Sequence, residues 1–348
     1  MKGKRGLKKN IRFGLLDRLL DNNGSVRDIF VRRFVLWLVV FTIVLVPVQA
    51  AFGKLGNMRL FSGTESLMGE VDTLVSADSE FYEEFSGSKR VNVLVLGLND
   101  GLSDVMMVGS YDLKNQRVDI ISVPRDTYYY RPAYYSAGAQ KINSIYHTDG
   151  LVPTVEAVSE VLLGMPINYY VIVDYEAIEA IVDEMGGVPM HIENRMEYHD
   201  PYDDPPLHIE FEAGDHILNG EDAVKFLRFR KGIGGYSEGD IGRIGAHQQF
   251  VKNAISQALD HGIVEVAKVA FEEIESDVTL DIIVKVARKA INLDGENIYT
   301  WTVPGSAGMA NGASYYFADA GLTEEMIDQI YNFEDYIVET TEGAIEAE

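Results

Sequence analysis

VNVLVLGLNDGLSDVMMVGSYDLKNQRVDIISVPRDTYYYRP, residues 91–132, decides the fold. Residues 91–96 are an unbroken apolar run, the pattern of a strand buried on both faces, and the Gly-Leu-Asn-Asp-Gly that follows predicts a turn leaving the sheet at its carboxyl edge. Residues 105–111 and 118–123 read as two more strands around a polar Asp-Leu-Lys-Asn-Gln turn, and the second runs directly into Pro124, Arg125 and Asp126. Acids in one loop beside an arginine in the next can hold a metal ion and a phosphate together.

Outward from this core, strands are predicted at 169–173, 188–192 and 298–303, and helices at 154–163, 176–185, 220–227, 242–258, 280–291 and 323–332. Strands first joined by tight turns and then separated by helices imply an α/β fold. The expected architecture is a mixed central β-sheet flanked by helices on both faces, an α-β-α sandwich preceded by one transmembrane helix. No internal repeat is present.

The transmembrane expectation rests on charge. Residues 1–33 hold ten Lys or Arg against three Asp, and this +7 leaves −31 for the remainder of a chain whose formal net charge is −24. Residues 34–53 contain no charged residue and match the ~20 positions a helix needs to cross a bilayer. A basic leader before the span places the amino terminus in the cytoplasm and the acidic bulk outside, a single-pass type II arrangement at the cell membrane. The long leader and the length of the apolar run favour an uncleaved anchor over a cleaved signal peptide. The expected divisions are a basic leader (1–33), a transmembrane helix (34–53), a juxtamembrane spacer (54–90) with one amphipathic helix around 67–85, an extracellular core domain (91–333) and an acidic disordered tail (334–348).

Composition also excludes. The chain has no cysteine, so disulfides and thiolate chemistry are ruled out, and an exported domain without disulfides suits a Gram-positive surface. A domain at −31 without a basic stripe repels DNA and RNA. There is no Walker P-loop, no H-E-x-x-H and no G-x-S-x-G elbow.

Asp104, with Asn99 or Asp100 across the turn, forms a candidate Mg²⁺ site of hard oxygen ligands. The same residues are also ordinary turn formers. Arg125 is either a phosphate ligand or a structural ion-pair partner of Asp126 or another acid. Arg228, Arg230, Lys231 and Arg243 fall within sixteen positions of an acidic domain, a clustering that is costly without an anion to neutralise it. Residues two apart on a helix diverge, so Arg228 and Arg230 reach one phosphate only if the helix ends near Arg228. Glycines at 232, 234, 235 and 239 support that ending and describe a mobile loop able to close over a substrate. Tyr128, Tyr129, Tyr130, Tyr134 and Tyr135 are either sugar-stacking surfaces or packing residues.

Seven blocks between 91 and 250 carry a resemblance: VNVLVLG, LSDVMMV, ISVPRDTY, KINSIY, NYYVIVDYEAIEAIVDEMGGV, LNGEDAVKFLRFRKG and GDIGRIGAHQQF. In order and spacing the chain resembles the LytR-CpsA-Psr family of membrane-anchored cell-wall enzymes. The resemblance implies a Mg²⁺-dependent phosphotransferase that moves a glycopolymer, teichoic acid or capsule, from a polyprenyl pyrophosphate carrier to a muramic acid hydroxyl of peptidoglycan. It implies catalytic roles for Asp104, Arg125, Asp126, Arg228 and Arg230. Metal would be held by Asp104 with Asp100 or Asn99. Pyrophosphate and glycan would be bound by Arg125, Lys141, Arg228, Arg230, Asp240, Arg243 and Gln248, and the lipid by a hydrophobic tunnel. No residue is assigned as base. Asn99 stands where the family's Gly-x-Asp turn has its aspartate, Leu102 where an arginine is common, and Ala246 or His247 where a second arginine precedes the Gln pair. The alternative expectation is a non-catalytic binder of polyprenyl pyrophosphate or wall glycan.

Overall fold

Consecutive apolar strands joined by short polar turns pair as antiparallel neighbours, and residues 90–122 do so. A computed structural model describes residue 79 and residues 81–99, 101–203, 206–236 and 240–332. Its elements begin with helix α1 (Tyr82–Gly87), strands β1 (Arg90–Asn99), β2 (Leu102–Asp112) and β3 (Arg117–Ser122), and helices α2 (Ile145–Asp149) and α3 (Leu151–Val161). Next come β4 (Tyr169–Val173), α4 (Tyr175–Glu184), β5 (Val188–Ile192), β6 (Met196–Asp200), β7 (Leu207–Phe211), β8 (Gly214–Leu218) and α5 (Gly220–Arg228). The chain continues through α6 (Asp240–His261), α7 (Ile263–Glu273), β9 (Glu275–Ser276), α8 (Leu280–Ala290), β10 (Ile298–Thr302), β11 (Gly305–Ala310), β12 (Ala313–Ala318) and α9 (Ala320–Tyr331).

Six strands make the central sheet in the order β10-β3-β2-β1-β4-β9. β1 is antiparallel to β2 and parallel to β4, while β3 is antiparallel to β2 and parallel to β10, so the sheet is mixed. Alternate residues of β1 serve the two faces. Leu94 and Leu96 join Val108 and Ile121 against Ile145, Val158 and Ile327, on the side of α2, α3 and α9. Val91, Val93, Met107 and Ile120 face the other way, toward Ile282 of α8 and Val251 and Ile255 of α6. This is the expected sandwich with helices on both faces. A further cluster around Val188, Ile209, Phe226 and Phe250 packs α4 to α6 against the small sheets β5–β8 and β6–β7.

Several sequence expectations change. The turn after β1 is shorter than five residues, because Asn99 pairs directly with Leu102 and a bulge between Gly97 and Leu98 absorbs the extra length. The folded unit begins before Val91: α1 buries Phe81 and Phe85 in the main core. Helices α2 and α7 and strands β6, β7, β8, β9, β11 and β12 were not anticipated. The segments 1–33, 34–53 and 334–348 lie outside the described residues, among which no helix is long and apolar enough to cross a membrane.

Both ends of the folded unit meet at one buried ion cluster. Asp119 is fully buried and takes Arg90 Nη1 at 2.8 Å, Arg117 Nη2 at 2.7 Å and Trp301 Nε1 at 2.9 Å. Arg90 also donates from Nη2 to the carbonyl of Ile330 in the last turn of α9 at 2.5 Å. Removing one partner of such a cluster costs about 3–5 kcal/mol, because the remaining charge stays buried.

Candidate active site

The carboxyl ends of the parallel neighbours β1 and β4 form the edge where α/β sheets bind ligands. A cavity of about 480 Å³ opens there, walled by β1, β2, α4, α5, α6 and the β6–β7 hairpin. Its inner part is apolar, with Val95, Val105, Met107, Val173, Leu227 and Phe250 on its walls. At the other end of the same sheet face, a second cavity of about 320 Å³ lies between Val91, Val93, Tyr169 and helices α7 and α8, and its lining is almost wholly apolar.

Local sequence explains how each polar group reaches the mouth. Asp104 occupies the bulged part of β2, opposite the end of β1 that carries Asn99. A turn closed by Thr127 N–H and Oγ1, both donating to the Pro124 carbonyl, presents Arg125. Arg125 Nη1 stands 2.8 Å from Asp104 Oδ1, and Asn99 Nδ2 stands 3.3 Å from Asp104 Oδ2. Asn219 caps α5 by accepting from Asp222 N–H; acids occupy its first turn and Lys225 and Arg228 its last, matching the helix dipole.

α5 stops at Arg228, and Phe229 is extended and fully buried, so Arg228 and Arg230 emerge on one side and both line the cavity. This is the geometry two phosphate-binding arginines require. From α6, Arg243, His247 and Phe250 follow at helical spacing onto the same wall. Asp174 caps α4 by accepting from Ala177 N–H, which sets Tyr175 beneath Arg228, 5.2 Å from ring centre to guanidinium carbon.

Burial pushes the Tyr175 hydroxyl above its ordinary pKa; Arg228 and Arg243 pull it back and Asp104 and Asp203 push it further up. Burial alone pushes Tyr236 up to about 12 despite Arg243, and its hydroxyl has no hydrogen-bond partner. Both tyrosines are therefore neutral donors at physiological pH. Arg228 is also paired with Asp203.

Asn99, Asp104, Arg125, Arg228, Arg230 and Arg243 thus share one cavity. Asp100 lies outside the described residues, and Asp240 opens α6. Asp126 and Lys141 pair with each other at 2.9 Å, away from the cavity wall. Gln248 corrects an expectation: its amide Nε2 donates toward Ser122 Oγ, the Trp301 carbonyl and Thr302 Oγ1 at 2.9, 2.6 and 3.0 Å, so it fastens α6 to the sheet edge. The described part of the glycine loop, residues 231–236, is docked against the β6 segment. Ile233 and Glu197 exchange backbone hydrogen bonds of 3.0 Å, and a Cβ at Gly232 or Gly234 would meet the carbonyls of Glu197 or Arg195 at 2.2 or 2.0 Å.

Of the tyrosine run, Tyr128 packs on Tyr315 and Phe317, Tyr129 donates to Glu160 and Tyr134 to Asp149, leaving Tyr130 and Tyr135 exposed. Sequence reasoning missed Tyr175, Tyr198, Asp200 and Asp203 on the wall. Tyr175 carried a signal, since it follows directly on a strand that ends at the ligand-binding edge.

Among the described residues no three His, Cys, Asp or Glu side chains converge as a metal cage. One carboxylate with a neighbouring carboxamide still suits Mg²⁺, which keeps water and takes phosphate oxygens for most of its octahedron.

The sequence model described as the LytR_cpsA_psr family matches residues 63–332. The chain is 28% identical over 269 residues to the polyisoprenyl-teichoic acid–peptidoglycan teichoic acid transferase TagV of Bacillus subtilis, covering 73% of this chain and 67% of that one. Identity to TagU of Bacillus anthracis, of the same described activity, is 27% over 294 residues, 80% of this chain and 91% of the relative. The crystal structure of B. subtilis TagV superposes with a TM-score of 0.58 at 25% identity, over 70% of this chain and 96% of that structure.

Proposed function

The chain belongs to the LytR-CpsA-Psr family, and from that premise we propose that it transfers a glycopolymer from a polyprenyl pyrophosphate to peptidoglycan. One observation carries this reading: arginines from the turn after β3, from the end of α5 and the loop beyond it, and from α6 share a cavity whose interior is apolar, so a pyrophosphate at the mouth would leave its lipid inside. The second apolar chamber along the same sheet face supports the assignment, because a long polyprenyl chain needs more length than the first cavity offers.

In the proposed reaction the hydroxyl oxygen of an acceptor muramic acid attacks the sugar-bearing phosphorus. The bond from that phosphorus to the bridging oxygen breaks, polyprenyl phosphate leaves, and the acceptor loses one proton to solvent or to the leaving phosphate. The glycan ends in a phosphodiester. Such a transfer depends on positioning and charge neutralisation rather than on a covalent protein intermediate. Arg125, Arg228, Arg230 and Arg243 would grip the phosphate oxygens, their planar forks suiting bidentate contact. Tyr175 would hold Arg228 in place. Asp104, aided by Asn99, would hold Mg²⁺, which supplies further neutralisation of phosphate charge when bound.

The test is incubation of the purified chain with a polyprenyl-pyrophosphate-linked glycan and a peptidoglycan oligomer, with mass spectrometry of the product. A muramic acid phosphodiester that Asp104→Ala fails to make supports transfer. Tight binding without any such product would leave a carrier-binding protein instead. The accompanying location, a type II anchor with the domain outside, is tested on protoplasts: added protease should digest the domain and spare the leader.

A further inference from the structure

Most exposed large apolar side chains of this protein are scattered, but four are not. Leu102, Tyr202, Ile233 and Ile241 are 37%, 96%, 58% and 37% exposed. Each stands within two residues of a cavity-lining side chain: Asp104, Asp203, Lys231 and Arg243 respectively. Among the described residues, none of the other exposed large apolar side chains, among them Tyr135, Ile217, Met309 and Leu322, has a neighbour lining this first cavity, while Leu280 and Ile291 adjoin the second.

The four come from separate parts of the chain, the first position of β2, the β6–β7 turn, the glycine loop and the first turn of α6. Two are held outward by the backbone. Tyr202 N–H donates to Asp200 Oδ1 at 3.0 Å, and Ile233 is fixed by its two hydrogen bonds to Glu197. Ordered apolar side chains exposed to water cost free energy that a partner surface would recover.

We propose that these residues form a collar that seats the cavity mouth in the headgroup region of a lipid bilayer. This deepens the functional reading and rests on it, since a lipid-borne substrate would then pass from the bilayer into the apolar cavity without its chain crossing water. A bilayer fits the collar better than a protein partner for two reasons. The four residues adjoin, along the chain, the lining of a cavity whose interior is apolar, so a protein seated on them would obstruct the entry of a lipid chain. Its exposed cations, Arg230 and Lys231, stand beside the apolar groups, the pairing of tyrosine and basic residues found at membrane interfaces.

The absence of native cysteine makes the test direct. The full chain, reconstituted in phosphatidylcholine–phosphatidylglycerol vesicles, carries one nitroxide on Leu102→Cys, Tyr202→Cys, Ile233→Cys or Ile241→Cys. Tyr135→Cys and Met309→Cys, also exposed, are the controls. Collision with oxygen relative to collision with a water-soluble nickel complex should rise at least threefold at the collar over the controls. Ratios equal to the controls at Tyr202→Cys and Ile233→Cys would overturn the proposal. A second arm uses Tyr202→Asp combined with Ile233→Asp, with folding checked by circular dichroism. For substrate embedded in vesicles its KM should rise at least tenfold, while kcat on a detergent-dispersed short-chain analogue stays unchanged; equal loss on both substrates would count against the collar. If neither substrate is turned over by the wild type, the functional reading fails and the nitroxide ratios alone decide the collar.

Discussion

Arg125 Nη1 lies 2.8 Å from Asp104 Oδ1, so the carboxylate suited to the metal and a guanidinium suited to the phosphate neutralise each other directly. A pyrophosphate that takes Arg125 must displace this contact, which frees an oxygen of Asp104 for the cation. Metal and anion binding should therefore be positively coupled, and by linkage the coupling is reciprocal. We expect pyrophosphate to tighten Mg²⁺ at least fivefold in titration calorimetry, and Arg125→Ala to abolish that enhancement.

Asp104→Ala should lower turnover at least a hundredfold, about 3 kcal/mol of transition-state stabilisation, while the melting temperature moves only a few degrees. Asn99→Asp should keep or tighten Mg²⁺ binding, since it supplies a second carboxylate beside the first. Normal activity in a severely destabilised Asp104→Ala would mean that the carboxylate serves the fold.

Arg228→Lys keeps the charge but loses the planar fork that can meet two phosphate oxygens and lie over Tyr175. Affinity for polyprenyl pyrophosphate should fall by roughly 1.5–3 kcal/mol per charged hydrogen bond lost, ten- to a hundredfold. Thermal melts should change little, because the side chain sits at the cavity mouth. Unchanged affinity with a collapsed melting temperature would remove Arg228 from the phosphate site.

Val95 projects from β1 into the apolar part of the cavity. Val95→Phe should weaken a long-chain polyprenyl pyrophosphate at least tenfold and leave inorganic pyrophosphate unaffected, because only the lipid needs that space. Competition binding with both ligands distinguishes this from a general loss of the site.

Asp277 gives a pH signature remote from the chemistry. Burial raises its pKa, against the pull of the Tyr170 N–H that it accepts at 2.9 Å. A carboxyl whose folded pKa is raised contributes stability below its unfolded value, about 3.9, and loses it as pH climbs through the folded value. Asp277→Asn keeps an acceptor for Tyr170 without the charge. The melting temperature of the variant should therefore gain on wild type as pH rises from about 4 toward neutrality. A difference independent of pH would show that Asp277 is not titrating in that window.

How far the sequence carried depends on the kind of residue. β1 to β4 were readable because strands buried on both faces leave no ambiguity of face, and the ending of α5 was readable because two arginines at i and i+2 demanded it. Gln248 was misplaced because linear order does not say which stripe of a helix faces a cavity. Arg243, His247 and Phe250 form that stripe, and Gln248 stands off it, toward Ser122 and Thr302. The β6–β7 hairpin was missed because each strand has five residues with Glu197, His199, His208 or Glu210 on the outward positions. Only pairing reveals that Met196, Leu207, Ile209 and Phe211 turn inward together. Tyr198, Asp200 and Asp203, which ride on that hairpin, were missed with it.

The contact of Arg90 with the Ile330 carbonyl makes the folded unit a nearly closed ring, entered and left at one place. Phe85 and Tyr331 reinforce the closure, with ring centres 4.9 Å apart. The junction lies at the amino-terminal end of β1, about 30 Å along that strand from the cavity mouth at strand spacing. Such a ring can be cut elsewhere. Linking the two ends of the folded unit and opening the chain in the tight turn between β2 and β3 would give a circular permutant whose arginine-lined edge is untouched. The same geometry places Asn332, the last described residue, beside the amino-terminal end of β1, so a fluorophore or affinity handle joined at that position would start away from the cavity.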